Sequence, residues 1–148
     1  MLSFALFVTG HECGHGTFSN YEWINDIFGH LCHSPLMVPY WPWKKSHNRH
    51  HQFTSHIDKD MGHAWITEDN HFSMNFFVRH MQKPILITGF ILWLPIYLIL
   101  GYADGSHYWP GSKLYINNKE RIQCAISSLS CIFCAFHFIF AITQLQLG

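Results

Sequence analysis

The stretch MLSFALFVTGHECGH, residues 1–15, runs ten mostly apolar residues straight into two histidines spaced four apart. It has neither a basic opening segment nor a small-residue cleavage site before the histidines, so it does not read as a secretory signal. It reads instead as the last turns of a longer apolar helix, with Met1 an internal methionine. On a helix, His11 and His15 stand about 40° apart on neighbouring turns of one face, where two imidazoles can chelate one metal ion.

Working outward, composition narrows the class. The 148 residues suffice for one domain; 49% are apolar and 17% aromatic, while only 12% are charged, about half the usual quarter. That shortage of charge points towards lipid. With a net charge of zero there is no basic footprint for nucleic acid. The 13 histidines are the excess that asks for a metal, because imidazole is the commonest metal-ligating side chain. The five cysteines are an odd number and no N-x-Ser/Thr sequon is present, which disfavours a secreted disulfide framework. Cys131 and Cys134 lie in the apolar run ISSLSCIFCAFHFIFAI and read as packing residues.

Along the chain, Trp23, Ile24, Ile27, Phe28 and Leu31 follow helical spacing, with Asn25, Asp26, His30 and His33 on other faces, so an amphipathic helix is expected. Pro35, Pro39 and Pro42 are expected to stop its regular continuation. YWPW followed by Lys44 and Lys45 has the composition of a membrane-interface anchor. Ser46 to Lys83 is polar and reads as an aqueous segment. Ile122 to Leu145 is the best spanning candidate. Residues 84–102 are also apolar but contain Pro95. If they crossed, Lys113, Lys119 and Arg121 would lie opposite Lys44, Lys45 and Arg49, so a re-entrant or interfacial path is expected. His137, alone in the last apolar run, reads as a packed histidine.

The second cluster, SHNRHH at residues 46–51, places His47, His50 and His51 at i, i+3 and i+4. They form a fan of about 100° that can give one nitrogen to one metal and the others to a second. Neutral nitrogen ligands suit iron, copper, zinc or nickel. Shuffling this composition gives an H-x-x-x-H about once per chain but an H-x-x-H-H only about one time in ten. The second cluster therefore carries most of the signal. Among the other histidines, His56, close after the second cluster, and His107, in the loop GSHYWPG, are the best placed to join a metal site.

The run HECGHGTFSNYEWINDIFGHLCHSPLMVPYWPWKKSHNRHHQFTSHIDKDMGHAW, residues 11–65, resembles the membrane fatty acid desaturases, most closely the methyl-end (delta-12 and omega-3) enzymes of invertebrates. GYADGSHYWPGSKLYINNKERIQCAIS, residues 101–127, continues the resemblance. The resemblance implies an all-α, integral membrane helical bundle, multi-pass in the endoplasmic reticulum, with histidine boxes at the cytosolic face. Residues 1–148 would form part of one desaturase domain. His11 and His15 match the first box, and His47, His50 and His51 the second; by resemblance all five are ligands of a di-iron centre of two iron ions. Glu12 and Cys13 match the first box as well, either as partners that orient ligands or as packing residues.

The implied reaction inserts a cis double bond towards the methyl end, delta-12 or omega-3, of a fatty acyl chain carried on phospholipid or coenzyme A. It consumes dioxygen, and cytochrome b5 with its reductase delivers the electrons. An unactivated C–H bond offers nothing to acid–base or nucleophilic side chains, so a cofactor must supply the oxidising power. The family's third box has no counterpart up to Gly148, and five histidines fall short of the roughly eight protein ligands that two irons need. The expectation is a fragment lacking the third box, inactive when expressed alone. The alternative is an inactive or zinc-binding membrane remnant without redox activity.

Overall fold

The computed structural model describes residues 1–60, 67–76, 79, 96–101 and 105–147. Among these the regular secondary structure is all helical: α1 (Leu2–His15), α2 (Glu22–His33), a 3-10 turn (Ser34–Leu36), α3 (Tyr40–Gln52), α4 (Glu68–Ser73), a π turn (Ile96–Leu100) and α5 (Asn118–Leu147). Most of the 84–102 segment, and with it the expected re-entrant path, lies outside the described residues, as do His63 and His80.

α1 runs unbroken through the apolar residues into both histidines of the first cluster. It stops at Gly16, whose φ of 74° is left-handed, with the Gly16 and Thr17 amides bonding back to Cys13 and Glu12 carbonyls. This is the usual glycine cap. The turn that follows is closed by buried Asn25, whose amide accepts from the Ser19 N–H (2.9 Å) and donates to the Ser19 carbonyl (2.7 Å).

α2 forms where helical spacing predicts it, but its faces are reversed relative to a water-soluble helix. Asn25, Gly29, Cys32 and His33 are buried, whereas Trp23, Ile27, Phe28 and Leu31 are exposed. A helix that turns its apolar stripe outward and packs its small and polar residues inward suits an apolar surrounding.

The prolines end α2 as expected, but two of them also start the next helix. Pro35 opens the 3-10 turn, Pro39 caps α3 and Pro42 lies inside its first turn. A first-turn proline is tolerated because the N–H it lacks has no intrahelical acceptor there. One helix therefore carries both the YWPW aromatics and the whole second cluster. Behind it, Val38, Trp43 and Leu98 form a small core with Phe7, Leu36, Tyr97 and Tyr108. The Ser46 and Tyr97 hydroxyls meet at 2.6 Å beneath it.

α5 begins with Asn117 accepting from the Glu120 amide and Glu120 accepting from the Ile116 amide. That reciprocal pattern is a variant of the capping box. It covers the expected Ile122–Leu145 run and is the one helix among the described residues long and apolar enough to cross a membrane. Only 17% of its most apolar window is buried, whereas the core helix of a soluble protein would be mostly buried. Cys124 and Cys131 are buried and all five cysteines are free, in keeping with packing roles. His137 is satisfied within α5 itself, its Nδ1–H donating to the Phe133 carbonyl at 2.9 Å, and its ring is not packed between helices among the described residues.

The end of α5 nearest the histidines is tied to α2 and α3. The Nδ1–H of His30 donates to the Asp26 carbonyl (2.7 Å), which leaves a lone pair on Nε2 for the Ser127 hydroxyl (2.9 Å). Ser127 in turn accepts from the Trp41 amide. Lys45 pairs with Glu120 across the α3–α5 contact, and Lys44 with Asp26 at 3.2 Å.

Candidate metal centre

The last turn of α1 and the last turns of α3 meet at their histidines. His15 Nε2 lies 3.2 Å from both His11 Nε2 and His47 Nε2, and His51 Nε2 lies 3.1 Å from His47 Nε2. One ligand atom from each of His11, His15, His47 and His51 falls within 4.8 Å of all the others. Helical spacing places each pair on one face, and the crossing of α1 over α3 brings the two faces together. Imidazole lone pairs at such distances repel unless protons or a cation lie between them. An ion about 2.0–2.1 Å from each nitrogen would hold neighbouring nitrogens about 3 Å apart, so the spacing and the all-nitrogen donor set both fit a transition metal.

Surrounding groups prepare the ligands. The Nδ1–H of His11 donates to Glu12 Oε1 (3.2 Å), and Thr17 fixes the other carboxylate oxygen at 2.6 Å. A carboxylate can only accept, so His11 keeps its lone pair on Nε2, facing the cluster. Trp43 stacks on His47 at 4.6 Å and 16°. Burial, and then the neighbouring His11, His51, His15 and His50, push His47 down to about 3. It is thus neutral, as a ligand must be, through the physiological range.

Four of the five expected ligands are brought together; the fifth is not. His50 turns its Nδ1 to Asp60 Oδ1 at 2.6 Å, as its place three residues from His47 and one from His51 allows. Of the two residues left open in the first box, Glu12 contacts His11, whereas Cys13 is fully buried and packs. His56 serves a turn, its Nδ1 accepting from the Asp58 amide. His107 is fully buried with its ring 4.6 Å from Tyr97, and its carbonyl accepts from the Tyr115 hydroxyl and Cys124 thiol. Neither joins the cluster. Spacing alone gives Asp60 no role, and composition reads Trp43 as part of an interface anchor, whereas the indole is buried against His47.

No solved structure matches the chain. Among curated proteins it is 49% identical over 132 residues to the delta(12) fatty acid desaturase fat-2 of Caenorhabditis elegans, an alignment covering 89% of this chain and 35% of that protein. It is 48% identical over 136 residues to the omega-3 fatty acid desaturase fat-1 of the same organism, covering 92% and 34%. A delta(12) acyl-lipid conjugase of Impatiens balsamina is 35% identical over 143 residues, covering 88% and 36%. The chain thus spans about a third of the length of these relatives. The fatty acid desaturase family model matches residues 1–146, and the chain belongs to that family.

Proposed function

We propose that the chain carries the first two histidine boxes of a methyl-end desaturase, which places a delta-12 or omega-3 cis double bond in a fatty acyl chain on phospholipid or coenzyme A. The observation that carries this reading is the convergence of His11, His15, His47 and His51 in a chain of the desaturase family. Two irons, held by these four with His50 and further ligands, would supply the oxidising power for removing two hydrogens from adjacent methylenes. The chain's own residues orient the ligands: Glu12 through His11, and Trp43 against His47. Dioxygen and electrons from cytochrome b5 and its reductase complete the balance, two electrons and two protons accompanying each dioxygen reduced to water. The same reading puts the protein in the endoplasmic reticulum membrane, multi-pass, with its boxes cytosolic. The Lys45–Glu120 pair supports a single basic side.

A second reading has its own observation. Four converging nitrogens are a complete set for one tetrahedral zinc, which would make this a zinc-binding membrane remnant without redox chemistry.

Expression of the full-length protein in a eukaryotic host that makes only monounsaturated acyl chains separates the two. The desaturase reading expects new dienoic chains, their abolition by His47→Ala, and iron in the purified protein. Zinc in its place with an unchanged lipid profile would establish the second reading.

A further inference from the structure

Asp60 is almost wholly buried, with 3% of its surface exposed, and it stands in the polar stretch after the second box. Burying a carboxylate is costly unless both oxygens find donors. Here they do: Oδ1 takes the Nδ1–H of His50 at 2.6 Å and Oδ2 takes the backbone N–H of Ser55 at 2.9 Å. The chain adopts an uncommon conformation to bring it there. Ser55, a non-glycine residue, sits at φ 65°. The His56 amide then closes on the Phe53 carbonyl and the Asp60 amide on the His56 carbonyl. Lys59 lies over the Phe53 ring at 5.5 Å. A surface loop with no task has no reason to aim a buried carboxylate at a box histidine.

The consequence follows from hydrogen-bond chemistry. A carboxylate accepts only, so the His50 proton is fixed on Nδ1 and the lone pair on Nε2. We propose that Asp60 is a positioning residue for the metal centre, holding His50 as the tautomer that ligates through Nε2, as Glu12 does for His11. The assignment rests on the metal-binding reading above. It also explains why His50 stands apart from the cluster: its ring orientation is set by Asp60 and not by the other imidazoles. Carboxylates placed behind ligating histidines typically matter to metal affinity by about 10–100-fold.

Asp60→Asn tests this sharply. The Ser55 N–H can only donate, so it holds the asparagine oxygen, and the asparagine NH2 then faces His50. His50 must offer Nδ1 as an acceptor, and its proton moves to Nε2, where a metal would bind. In the full-length protein in detergent, anaerobic titration with Co(II), a redox-inert stand-in for Fe(II), should show about 10–100-fold weaker binding in D60N. In a His50→Ala background the same change should add nothing, because Asp60 acts through His50. An equal loss in both backgrounds would make Asp60 merely structural and overturn the assignment, as would unaltered Co(II) binding in D60N. If D60N fails to fold, nitrogen-15 spectra of the unsubstituted, metal-free protein decide: a protonated Nδ1 on His50 supports the assignment and a bare Nδ1 overturns it. Should the unsubstituted protein bind neither Co(II) nor Fe(II), the metal-centre reading falls and this assignment with it.

Discussion

His33 is fully buried and, among the described residues, neither ring nitrogen has a hydrogen-bond partner; it packs between the Phe7 ring (5.5 Å, 5°) and the Trp43 ring (4.5 Å, 75°). Burial, against a small opposing pull from the Phe7 carbonyl, pushes it down from 6.5 to about 4. Its folded form therefore resists a proton that the unfolded chain accepts, and in the window between about 6.5 and 4 the unfolded state binds more protons. Stability contributed by the neutral ring is complete above pH 6.5 and falls as pH drops towards 4, by an amount on the order of 3 kcal/mol at most. Thermal unfolding of the metal-free protein in detergent should accordingly drop between pH 7 and pH 5. His33→Leu, of similar volume and without a titrating group, should flatten that slope; an unchanged slope would mean that His33 is protonated or partnered in the folded chain. The contrast with the box histidines shows what spacing can and cannot reveal. His11, His15, His47 and His51 were legible because helical periodicity fixes which residues share a face. The burial of His33, and the carboxylate that reaches His50 from ten positions away, depend on packing and on one left-handed serine.

At the scale of elements, the centre depends on how closely α1 lies on α2 and α3. A Cβ on Gly14 would sit 2.8 Å from Trp43 Cζ3, and one on Gly10 would sit 2.3 Å from the His33 ring. Gly14 thus seats the indole that stacks on His47. Gly14→Leu should push Trp43 aside and misplace His47. The expected overpacking loss is about 1–3 kcal/mol of stability, with Co(II) affinity falling and helix content in circular dichroism kept. Trp43→Ala combined with Gly14→Leu should recover part of the stability, because the indole that clashes is gone; no recovery would place the strain elsewhere. The helices themselves were readable from sequence: the extent of α2 from its apolar spacing, that of α5 from its unbroken apolar run. Two features were not. Pro42 looks like a breaker until its place in the first turn of α3 is known, and that place is set by Pro39 as cap. The inward turn of α2's polar face is a tertiary choice, made by Gly29 fitting under Tyr40 and by His30 reaching Ser127.

For the whole molecule, the decisive contacts are those that tie the start of α5 to the box helices. Lys45 of α3 pairs with Glu120, and Ser127, further along α5, joins His30 and Trp41. We therefore expect Lys119 and Arg121 on the same side of a membrane as Lys44, Lys45 and Arg49, the arrangement that the positive-inside tendency favours. From Lys119 to Gln144, α5 rises about 38 Å, more than the roughly 30 Å of a bilayer's hydrocarbon core. Its far half exposes Ile132, Phe133, Phe136, Phe138, Ile139 and Phe140, a surface that water would not tolerate over such a length. If α5 crosses, its two ends are separated by the membrane while its first turn shares a compartment with the metal centre. Single cysteines at Arg49, Lys119 and Gln144, all exposed positions, in a background whose five native cysteines are replaced, convert this into a measurement in sealed vesicles of one orientation. A membrane-impermeant thiol reagent should label Arg49→Cys and Lys119→Cys from one side only and Gln144→Cys only after the vesicles are opened, or the reverse for inverted vesicles. Labelling of Arg49→Cys and Lys119→Cys from opposite sides would break the ion-paired arrangement. Equal labelling of all three from outside would show that α5 lies along the surface and does not cross, and its outward phenylalanines would then be an interfacial face.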